Sequence, residues 1–506
     1  MKPMNVFMML VGTLLMACAP EPTPGGGGEN NTPTDSLEAQ IKNTTLENYN
    51  YAPDAPRSHF FAVGVQGSGE MENCYVFPMV TNHDSPHIVT FGANGLVRVE
   101  IYPLTVVPET VVARPLVKEY PCWVEDGKVV LYVSEGDKAT VEINGNEDMP
   151  VLVFVNPLET NKPSKDDPNV EYYEAGKVYD RQPTYSLSAG KTLYIEGGAI
   201  VKGGFKPTLQ DNITVAGYGI IDDFHVAHEN NSGWAFRMDR CNGAKVSGVI
   251  IANMAGYSCA TIMSHDITFD NVKIIAPWNE DHETGVENGG ICFFACQKVR
   301  CKDLYAYAHD DTYMVKTNKW SWIGEAKDLV FEGCQANNVR GGNAFEIGYE
   351  VNEGVDGVTF RDCYVIHSAR SYGYTYRHGS FTIHNSTKGT VKNILYENCY
   401  IDDPKEFDFY ISVLPDCGYS LGNGVEWGPG HIENVTIRNI YVEKKAPYGE
   451  IMFGLDSEHT VKNVTIENFN IEGKRMTSFE EIGFGIDPKY NGRGYVKVKP
   501  EEVTFK

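Results

Sequence analysis

The sequence is poor in basic residues. Lys and Arg number 43 among 506 residues, against 67 Asp and Glu, and the formal net charge is -24. Phosphate backbones and anionic lipid surfaces repel such a chain, so nucleic acid is not an expected partner. The sequence also contains no glycine-rich phosphate loop, nucleophile elbow or dinucleotide fingerprint. His282 and His309 flank carboxylates, but no metal-ligand spacing surrounds them, and we expect neither a catalytic metal nor a cofactor.

The first apolar run, Val6 to Met16, is too short to span a bilayer and follows the positive charge of Lys2. Leu15-Met16-Ala17-Cys18 resembles a bacterial lipobox, which implies cleavage before Cys18 and lipidation of that residue. We therefore expect a signal peptide over residues 1–18 and export to the bacterial cell envelope, with the outer membrane favoured. Membrane contact would then occur only through the lipid anchor. The alternative is an ordinary secretory signal followed by a chance cysteine.

Two segments with different patterns follow the signal. Residues 19–56 are rich in proline, glycine, asparagine and threonine and predict a flexible linker. Residues 57–169 predict an antiparallel β-sandwich domain, because stretches such as Gly95 to Tyr102 alternate apolar and polar side chains. Turn dipeptides such as Asp126-Gly127 separate these stretches. We expect this domain to cap the rest of the chain, with independent sugar binding as the alternative.

Residues 170–506 repeat one phrase: an apolar residue, a polar one, an apolar one, two polar or small ones, then an apolar one. The last apolar residue of each copy recurs every 29 to 41 residues, at Val272, Leu304, Cys334, Cys363, Cys399, Ile440 and Phe469. Self-similarity at this period, without helical periodicity, predicts an all-β solenoid, a right-handed parallel β-helix with one phrase per coil. A leucine-rich-repeat solenoid is the alternative, but its Leu-x-x-Leu-x-Leu phrase is missing.

Equivalent positions of stacked coils should form ladders at the parallel-strand spacing of roughly 4.8 Å. We expect one ladder of turn residues, at Asn271, Asp303, Gly333, Asp362, Asn398, Asn439 and Asn468. We expect Cys334, Cys363 and Cys399 to stack inside as buried thiols, since cysteine behaves there as a small hydrophobe. Disulfides between such neighbours are the alternative, and Cys74 and Cys122 of the first domain are a further possible pair.

Adjacent acidic residues occur at four places, and they matter because the function of a β-helix comes from side chains on its outer face. Asp310-Asp311 stands out, because His309, aromatic residues and Lys316 surround it and a short strand follows. One carboxyl of such a pair can protonate a leaving oxygen while another activates water. The alternative is a structural turn, which is also our prediction for Asp222-Asp223 and Asp402-Asp403, whereas Asp166-Asp167 predicts a solvated loop.

Several stretches resemble known enzymes. Glu287-Asn-Gly-Gly-Ile291 followed by Asp310-Asp-Thr-Tyr-Met-Val-Lys316 resembles the active-site region shared by glycoside hydrolase family 28, the polygalacturonases, and family 49, the dextranases and isopullulanases. Asn343 to Tyr349 and Leu193 to Gly204 resemble family 49 more closely. The resemblance covers about residues 57–470. It implies an inverting glycoside hydrolase in which Asp310 and Asp311 are two of the catalytic acids.

The third acid departs from both families, which place an aspartate where this chain has Asn288 or Gly289. Glu287 is our prediction for the base, because it lies just before a strand one coil below the acid pair. That offset is compatible with the ~6.5–9.5 Å carboxyl separation of inverting enzymes. Glu283 and Asp281 are the alternatives.

Six further residues are predicted to contact the substrate: His309, Lys316, Glu346, Arg370, Arg377 and His378. A surface lysine lying over a strand is the alternative interpretation of Lys316. The substrate would be a polysaccharide or oligosaccharide, and the acidic chain favours a neutral glycan. We expect a dextranase-like activity, and we expect the protein to be a monomer. The alternatives are a polygalacturonase-like hydrolase of a uronic-acid glycan, a polysaccharide lyase, and a non-catalytic surface glycan-binding lipoprotein.

Overall fold

A computed structural model of the chain describes residues 33–79, 84–226, 233–252, 257–277, 288–319, 321–368, 378–415, 427–486 and 494–506. The predicted signal peptide and Cys18 lie outside these residues. Helix is rare in the described ranges: α1 spans Pro33–Ile41, α2 spans Phe479–Ile482, and two 3-10 turns span Leu116–Lys118 and Pro500–Glu502. No helix within these ranges has the length and hydropathy needed to cross a membrane.

Two sheets that share an apolar core form the N-terminal part, and almost all of their strand pairings are antiparallel. The first sheet has the order β1-β5-β11-β10-β7, with β4 beside β5, and the second has the order β3-β2-β6-β9-β8. The strands are β1 (Leu46–Glu47), β2 (Phe61–Gln66), β3 (Glu72–Cys74), β4 (Val76–Pro78), β5 (His87–Ala93), β6 (Val97–Pro103), β7 (Val111–Arg114), β8 (Cys122–Glu125), β9 (Lys128–Val133), β10 (Lys138–Ile143) and β11 (Val151–Asn156).

The hairpin turns of this sandwich follow from the sequence. Asp126 and Gly127 adopt φ of 48° and 76°, and Asn144 and Gly145 adopt 53° and 71°. Positive φ at both central residues is what a two-residue hairpin turn requires, and Asn-Gly and Asp-Gly dipeptides meet it at low cost. Cys74 and Cys122 lie on opposite edge strands of one sheet, and both thiols are free.

The rest of the chain is a right-handed parallel β-helix with three sheets, as predicted. The first sheet stacks β12 (Val170–Tyr173), β14 (Thr192–Ile195), β16 (Thr214–Ala216), β19 (Lys245–Ser247), β22 (His265–Asp270), β25 (Gln297–Lys302), β30 (Ala326–Glu332), β33 (Val355–Arg361), β36 (Thr390–Pro404), β38 (His431–Val442), β40 (Val461–Ile471) and β43 (Val503–Phe505). The second sheet stacks β13 (Val178–Tyr185), β15 (Ile200–Phe205), β17 (Ile220–Asp222), β20 (Ile250–Ala252), β23 (Lys273–Ala276), β26 (Tyr305–Ala308), β31 (Gln335–Asn338) and β34 (Tyr364–Ser368).

The third sheet stacks β18 (Phe236–Asp239), β21 (Cys259–Ile262), β24 (Ile291–Phe294), β27 (Tyr313–Lys316), β32 (Phe345–Tyr349), β35 (Gly379–Asn385), β37 (Phe407–Val413) and β39 (Ile451–Gly454). A small hairpin of β28 (Asn318–Lys319) and β29 (Trp322–Ile323) leaves the coil. Near the C-terminus, β41 (Lys474–Met476) pairs antiparallel with β40, and β42 (Val496–Lys497) pairs antiparallel with β39. All pairings between successive coils of the third sheet up to β39 are parallel.

The copies of the repeated phrase form strands of the first sheet. Val299 pairs with Leu329, which pairs with Val358 in the next coil, and the apolar positions of these strands point into the core. The residues just before the last apolar residue of each phrase form the predicted turn ladder. All seven are left-handed: Asn271, Asp303, Gly333, Asp362, Asn398, Asn439 and Asn468 have φ between 52° and 66°. Asn, Asp and Gly tolerate this conformation best, which explains their recurrence at this one position.

Cysteines line the core beside this ladder, as predicted. Cys334, Cys363 and Cys399 are completely buried and free of disulfides. Burial, together with the adjacent thiols, raises the pKa of the Cys363 thiol well above its usual range. These thiols therefore act as small apolar side chains of the core.

A buried charged network joins the sandwich to the β-helix. His367 on β34 contacts Glu142 of β10 through Nε2 at 2.5 Å and Asp403 of β36 through Nδ1 at 3.4 Å. Lys405 Nζ lies 2.6 Å from the same Asp403 carboxylate. Asp402 accepts a hydrogen bond from the backbone N–H of Leu116 at 2.8 Å. The prediction that Asp402-Asp403 forms a turn is wrong, because both residues end the long strand β36 and tie it to the sandwich.

Candidate active site on the third sheet

Side chains of the third sheet alternate between the core and the outer face, as in any strand. On β27, Tyr313 and Val315 point into the core, which leaves Met314 and Lys316 on the outer face. Asp310 and Asp311 immediately precede β27. Glu346 is in register with Met314 on this face and shares the donor Asn343 Nδ2 with Asp311, so the predicted acid pair lies at the outer face of this sheet.

Asp311 is held by the next coil. Tyr313 pairs with Phe345, which places Asp311 beside Asn343. The Asp311 carboxylate accepts hydrogen bonds at Oδ1 from the Asn343 backbone N–H at 2.7 Å and from Asn343 Nδ2 at 2.8 Å. The neighbouring acid, Asp310, accepts the backbone N–H of Asp311 at Oδ1 over 2.8 Å. These bonds fix the direction of both carboxylates before any ligand arrives.

The close approach of the two coils depends on a glycine. Gly342 has a φ of 77°, and a Cβ atom there would lie 2.2 Å from the backbone nitrogen of Asp311. Any side chain at residue 342 would push the backbone of the acid pair away from its supporting coil. The sequence Gly342-Asn343 thus supplies both the space and the donor that position Asp311.

A buried lysine sits behind the pair. Lys316 is 3% exposed and donates from Nζ to the Gly348 carbonyl at 2.6 Å and to Glu350 Oε2 at 2.9 Å. Glu346 Oε2 lies farther from the same Nζ, at 3.6 Å. Burial disfavours the charged lysine, but the charges of Glu350 and Glu346 outweigh it and raise the Lys316 pKa well above its usual range. Lys316 therefore stays cationic, and Glu350 is its principal partner.

Glu346 has no exposed surface and contacts Asp311. Its Oε1 accepts a bond from Asn343 Nδ2 at 3.2 Å and lies 3.2 Å from His384 Nδ1. Burial and the charge of Asp311 raise the pKa of Glu346 well above its usual range. Burial also opposes ionisation of Asp311, but the hydrogen bond from Glu346 and the charge of Lys316 outweigh it and lower the Asp311 pKa. At neutral pH, Asp311 is thus ionised while Glu346 carries a proton.

Three histidines near the pair are neutral: His309 and His384, which are buried, and His378, which is partly exposed. Burial lowers the pKa of His384 and of His309 to about 3 each and also lowers that of His378. His309 lies toward the second sheet, where its Nε2 is 3.0 Å from the Tyr307 hydroxyl. His378 is oriented through its backbone N–H, which donates to Glu406 at 3.0 Å. None of the three adds positive charge to the site at neutral pH.

The structure brings five of the predicted site residues together: Asp310, Asp311, Lys316, Glu346 and His378. Lys316, Glu346 and the nearby His309 are almost fully buried, so they support the acid pair from beneath, and their contact with a sugar stays a prediction. Glu287, Arg370 and Arg377, with the alternatives Glu283 and Asp281, lie outside the described residues.

The departure at the third acid has a local cause. Gly289 lies beside Asp311 in the preceding coil, because Ile291 pairs with Tyr313. A Cβ atom on Gly289 would lie 3.0 Å from Met314 Cε and 3.3 Å from Tyr257 Cδ1, which is crowded. Asn288 instead donates its side-chain amide to the Pro277 carbonyl. A carboxylate from this coil therefore does not come from residue 288 or 289.

Sequence reasoning missed Asn343 and His384 as members of this cluster, whereas Glu350 was a candidate for the substrate groove beside Glu346. The signal was present, since Asn343 follows Asp311 by 32 residues, within the range of 29 to 41 found for the repeat. Applying the repeat length to Asp311 would have limited its partner in the next coil to residues 340–352, which include Asn343. His384 follows Glu346 by 38 residues, one coil later.

Aromatic side chains continue the outer face toward the N-terminal coils. Trp234, Tyr257 and Trp322 pack together with Phe294, with ring centroids 5.1 to 6.1 Å apart. The Arg237 guanidinium lies 5.5 Å from the Trp234 ring and 5.0 Å from the Trp322 ring. Trp322 is 8% exposed, whereas Trp234 and Tyr257 are partly exposed and offer faces that suit the apolar faces of sugar rings.

Two further acid pairs lie elsewhere. Asp166-Asp167 is in an exposed loop, as predicted, and Asp222 ends β17 with both Asp222 and Asp223 buried. Among the described residues, the His and carboxylate atoms close enough to share a metal are those of Glu147, His367 and Asp403. That group belongs to the interdomain network, and Lys405 Nζ already bonds to its two carboxylates at 2.8 and 2.6 Å.

Comparison with known proteins gives one family. The sequence profile of Glycosyl hydrolases family 28 matches residues 225–485, about half of the chain and all the described residues of the site. Dex49A from Penicillium minioluteum superposes with a TM-score of 0.56 at 14% identity, covering 91% of this chain and 96% of that one. No curated protein sequence matches the chain.

Two more solved structures are similar at lower scores. A family 28 exopolygalacturonase from Yersinia enterocolitica gives a TM-score of 0.42 at 11% identity and covers 67% of this chain and 79% of that chain. The catalytic domain of a GH87 alpha-1,3-glucanase gives 0.31 at 11% identity, with 85% and 89% covered. At these identities the superposition with Dex49A supports the fold alone.

Proposed function

This chain belongs to glycosyl hydrolases family 28 and is a glycoside hydrolase, and from that premise we propose that it cleaves a neutral glycan at Asp310-Asp311. The observation that carries the proposal is the fixed position of Asp311. Two hydrogen bonds from Asn343 hold its carboxylate on the outer face of the third sheet, above the buried side chains of Lys316 and Glu346. A structural turn would need neither the preorganised acid nor the buried lysine.

The reaction we propose is hydrolysis with inversion. The bond between the anomeric carbon and the leaving oxygen breaks, and a bond to a water oxygen forms at that carbon. Asp310 delivers the proton that the leaving oxygen needs, because the lowered pKa of Asp311 leaves that neighbour ionised. A second carboxylate takes a proton from the attacking water, and Glu287 remains our prediction for it. The separation of the two carboxyl groups decides between inversion and retention. The proposal of inversion therefore depends on Glu287 being the base.

The local charge favours a neutral glycan. Four carboxyl groups lie at the site: the two of the pair, Asp310 and Asp311, and those of Glu346 and Glu350. Against them stands Lys316, whose charge is already matched by Glu350 at 2.9 Å. The two nearby histidines on this face are neutral. With a formal net charge of -24 on the whole chain, a polyuronate would be repelled, which supports a dextranase-like activity over a polygalacturonase-like one.

The aromatic cluster supports a carbohydrate ligand with several sugar units. Trp234, Tyr257 and Trp322 continue the outer face beyond Met314, on the same side of the acid pair as the N-terminal coils. A sugar bound at the pair would be followed by ring-shaped neighbours over these side chains. Their apolar faces contribute binding without adding charge.

Asp311→Asn tests the aspartate pair directly. We expect the variant to bind neutral oligosaccharides while its kcat falls by about 100-fold or more, since general acid-base catalysis contributes at least this much. Asp303→Asn is the matched control, because Asp303 lies in the exposed turn ladder and asparagine fits its φ of 53°. The control should keep wild-type activity. Equal activity of wild type and Asp311→Asn on every cleaved glycan would contradict the assignment.

The other reaction classes predict different products. A lyase would give unsaturated uronates that absorb in the ultraviolet, and a binding protein would retain glycan without releasing any product. Glu287→Gln tests the base, and we expect it to abolish inversion chemistry without weakening binding.

A further inference from the structure

The column of residues that contains Asp311 continues into the N-terminal coils. Parallel pairing joins β18, β21, β24 and β27 without a shift of register. The residues two places before Phe236, Cys259, Ile291 and Tyr313 in these strands are Trp234, Tyr257, Gly289 and Asp311. Backbone bonds extend the register to this column, since the N–H of Ser258 donates to the Gly289 carbonyl and that of Gly290 to the Asp311 carbonyl, both at 3.0 Å. Trp234 thus lies three coils before Asp311, which is about 14 Å at roughly 4.8 Å per coil.

Tyr257 fills part of the space that the glycine of this column leaves open. A Cβ atom on Gly289 would lie 3.3 Å from Tyr257 Cδ1 and 3.3 Å from the Asp311 carbonyl oxygen. The edge of the tyrosine ring therefore reaches across the Gly289 coil to the coil of Asp311. Tyr257 and Trp234 are in contact, with ring centroids 5.2 Å apart, and both side chains are partly exposed. An aromatic surface thus leads from the acid pair toward the N-terminal coils.

The far end of this surface carries a cation. Arg237 lies on the outer face of β18, and its guanidinium carbon is 5.5 Å from the centroid of the Trp234 ring and 5.0 Å from that of Trp322. Its Nη2 donates to Asp239 at 3.2 Å. Nε and Nη1 have no acceptor in the described part of the chain, and the side chain is 28% exposed. The two indoles thus hold a guanidinium that still has donors to offer.

We propose that Trp234 and Arg237 form a distal sugar-binding site, which holds the third unit, counted toward the N-terminal coils, of a glycan bound at the acid pair. This inference rests on the proposed cleavage at Asp310-Asp311 and adds the length of glycan that the enzyme selects. One unit of an extended glycan advances by about the rise of one coil, so three units reach the distal site. Its ligand is a neutral pyranose, whose apolar face packs on Trp234 and whose hydroxyl oxygens accept from Arg237.

The geometry of Arg237 suits hydroxyl recognition. A guanidinium is planar and presents its donors as a fork, so it can donate to two neighbouring oxygens at once. The rings of Trp234 and Trp322 fix its orientation before a ligand arrives, and less side-chain freedom is then lost on binding. Binding at this distance from the acid pair adds contacts without adding negative charge to a site that already holds four carboxyl groups.

A purely structural role as the partner of Asp239 explains Arg237 less well. Asp239 has a second cation, since Arg240 Nε lies 2.9 Å from Oδ1 while Arg237 Nη2 lies 3.2 Å from Oδ2. The Arg240 side chain is 48% exposed and contacts no aromatic ring in the described part of the chain. Removal of either guanidinium therefore leaves the Asp239 carboxylate paired, and only Arg237 is placed between the two indoles.

The test is the ratio of kcat/KM for long over short neutral oligosaccharides, measured on an end-labelled series from disaccharide to octasaccharide. The labelled products show how many units lie on each side of the cleaved bond. We expect kcat/KM of wild type to rise until three units lie on one side. Arg237→Met keeps an unbranched side chain between the indoles but removes the donors, and Trp234→Ala removes the ring. Each should lower the ratio by about 10-fold or more, the size of a hydrogen bond from a charged group.

Arg240→Met is the matched control, because it removes the other guanidinium on Asp239 and should leave the ratio at the wild-type value. A wild-type ratio in Arg237→Met and Trp234→Ala, or equal losses on short and long oligosaccharides, would overturn this inference alone. Full activity of Asp311→Asn, or a wild type that cleaves no neutral oligosaccharide, would overturn the proposed function and this inference with it.

Discussion

Asn343→Ala removes the side chain that ties the acid pair to the next coil. The variant loses the bond from Nδ2 to Asp311 Oδ1, the weaker bond to Glu346, and the bond that Oδ1 accepts from the Gly379 backbone N–H at 3.1 Å. The backbone N–H of residue 343 still donates to Asp311. One charge-assisted bond to Asp311 is therefore lost and one is kept.

The size of the effect follows from these contacts. A hydrogen bond to a charged group contributes about 1.5–3 kcal/mol. At about 1.36 kcal/mol per pKa unit, its loss should raise the pKa of Asp311 by roughly one to two units. The unpaired backbone N–H of Gly379 should cost about 1–3 kcal/mol of folding stability in addition. We expect the acid limb of kcat/KM to shift toward higher pH and kcat to fall about 10-fold or more.

The assay is the pH dependence of kcat/KM on a cleaved oligosaccharide, with thermal unfolding measured on the same samples. Asn398→Ala is the matched control, because Asn398 donates to Asp362 at 3.1 Å and accepts from Asn439 at 2.8 Å in the turn ladder. It should lose a similar amount of stability without any shift in the pH profile. A pH profile of Asn343→Ala identical to that of wild type would refute the reasoning about Asp311.

Two further predictions concern buried charges. Lys316→Met leaves Glu350 without its counter-charge and should destabilise the fold by about 3–5 kcal/mol. The double variant Lys316→Met with Glu350→Met should recover most of that loss. Unfolding by denaturant measures the stability of both variants, and equal losses would contradict the pairing of Lys316 with Glu350. Burial opposes protonation of His367, but its bonds to Asp403 and Glu142 raise its pKa. Since the folded pKa lies above the unfolded value of about 6.5, the contribution of His367 to stability is complete below that pH and is lost as pH rises through the folded pKa. The melting temperature of wild type should therefore fall with rising pH in this window more steeply than that of His367→Gln, and parallel curves would show that the imidazole charge has no role.

The sequence was enough to predict the β-helix because its coils obey one local rule. A left-handed residue recurs at one position in seven successive coils of the first sheet, and only Asn, Asp and Gly accept that conformation cheaply. The period of this rule is visible without any structure. Asp402-Asp403 could not be placed in the same way, since contacts with Leu116 and His367, far away in sequence, decide its conformation.

The candidate site was predictable in part for a related reason. Asp310-Asp311 is conspicuous as adjacent acids before a strand, but its partners Asn343 and Glu346 come from the next coil. Their roles depend on how the coils are aligned with one another. The sequence of the third sheet contains no repeated phrase from which this alignment could be determined. The burial of Lys316 was also hidden, because it results from Glu350 and the Gly348 carbonyl one coil later.

The most direct test of the proposed hydrolysis is mass spectrometry of the products that wild type and Asp311→Asn form from dextran-type oligosaccharides and from oligogalacturonates. We predict that wild type converts a neutral oligosaccharide into two fragments whose masses add up to the substrate plus one water, that Asp311→Asn gives almost none, and that oligogalacturonates remain intact. Fragments lacking that water, cleavage confined to the oligogalacturonates, or equal cleavage by the variant would contradict the account.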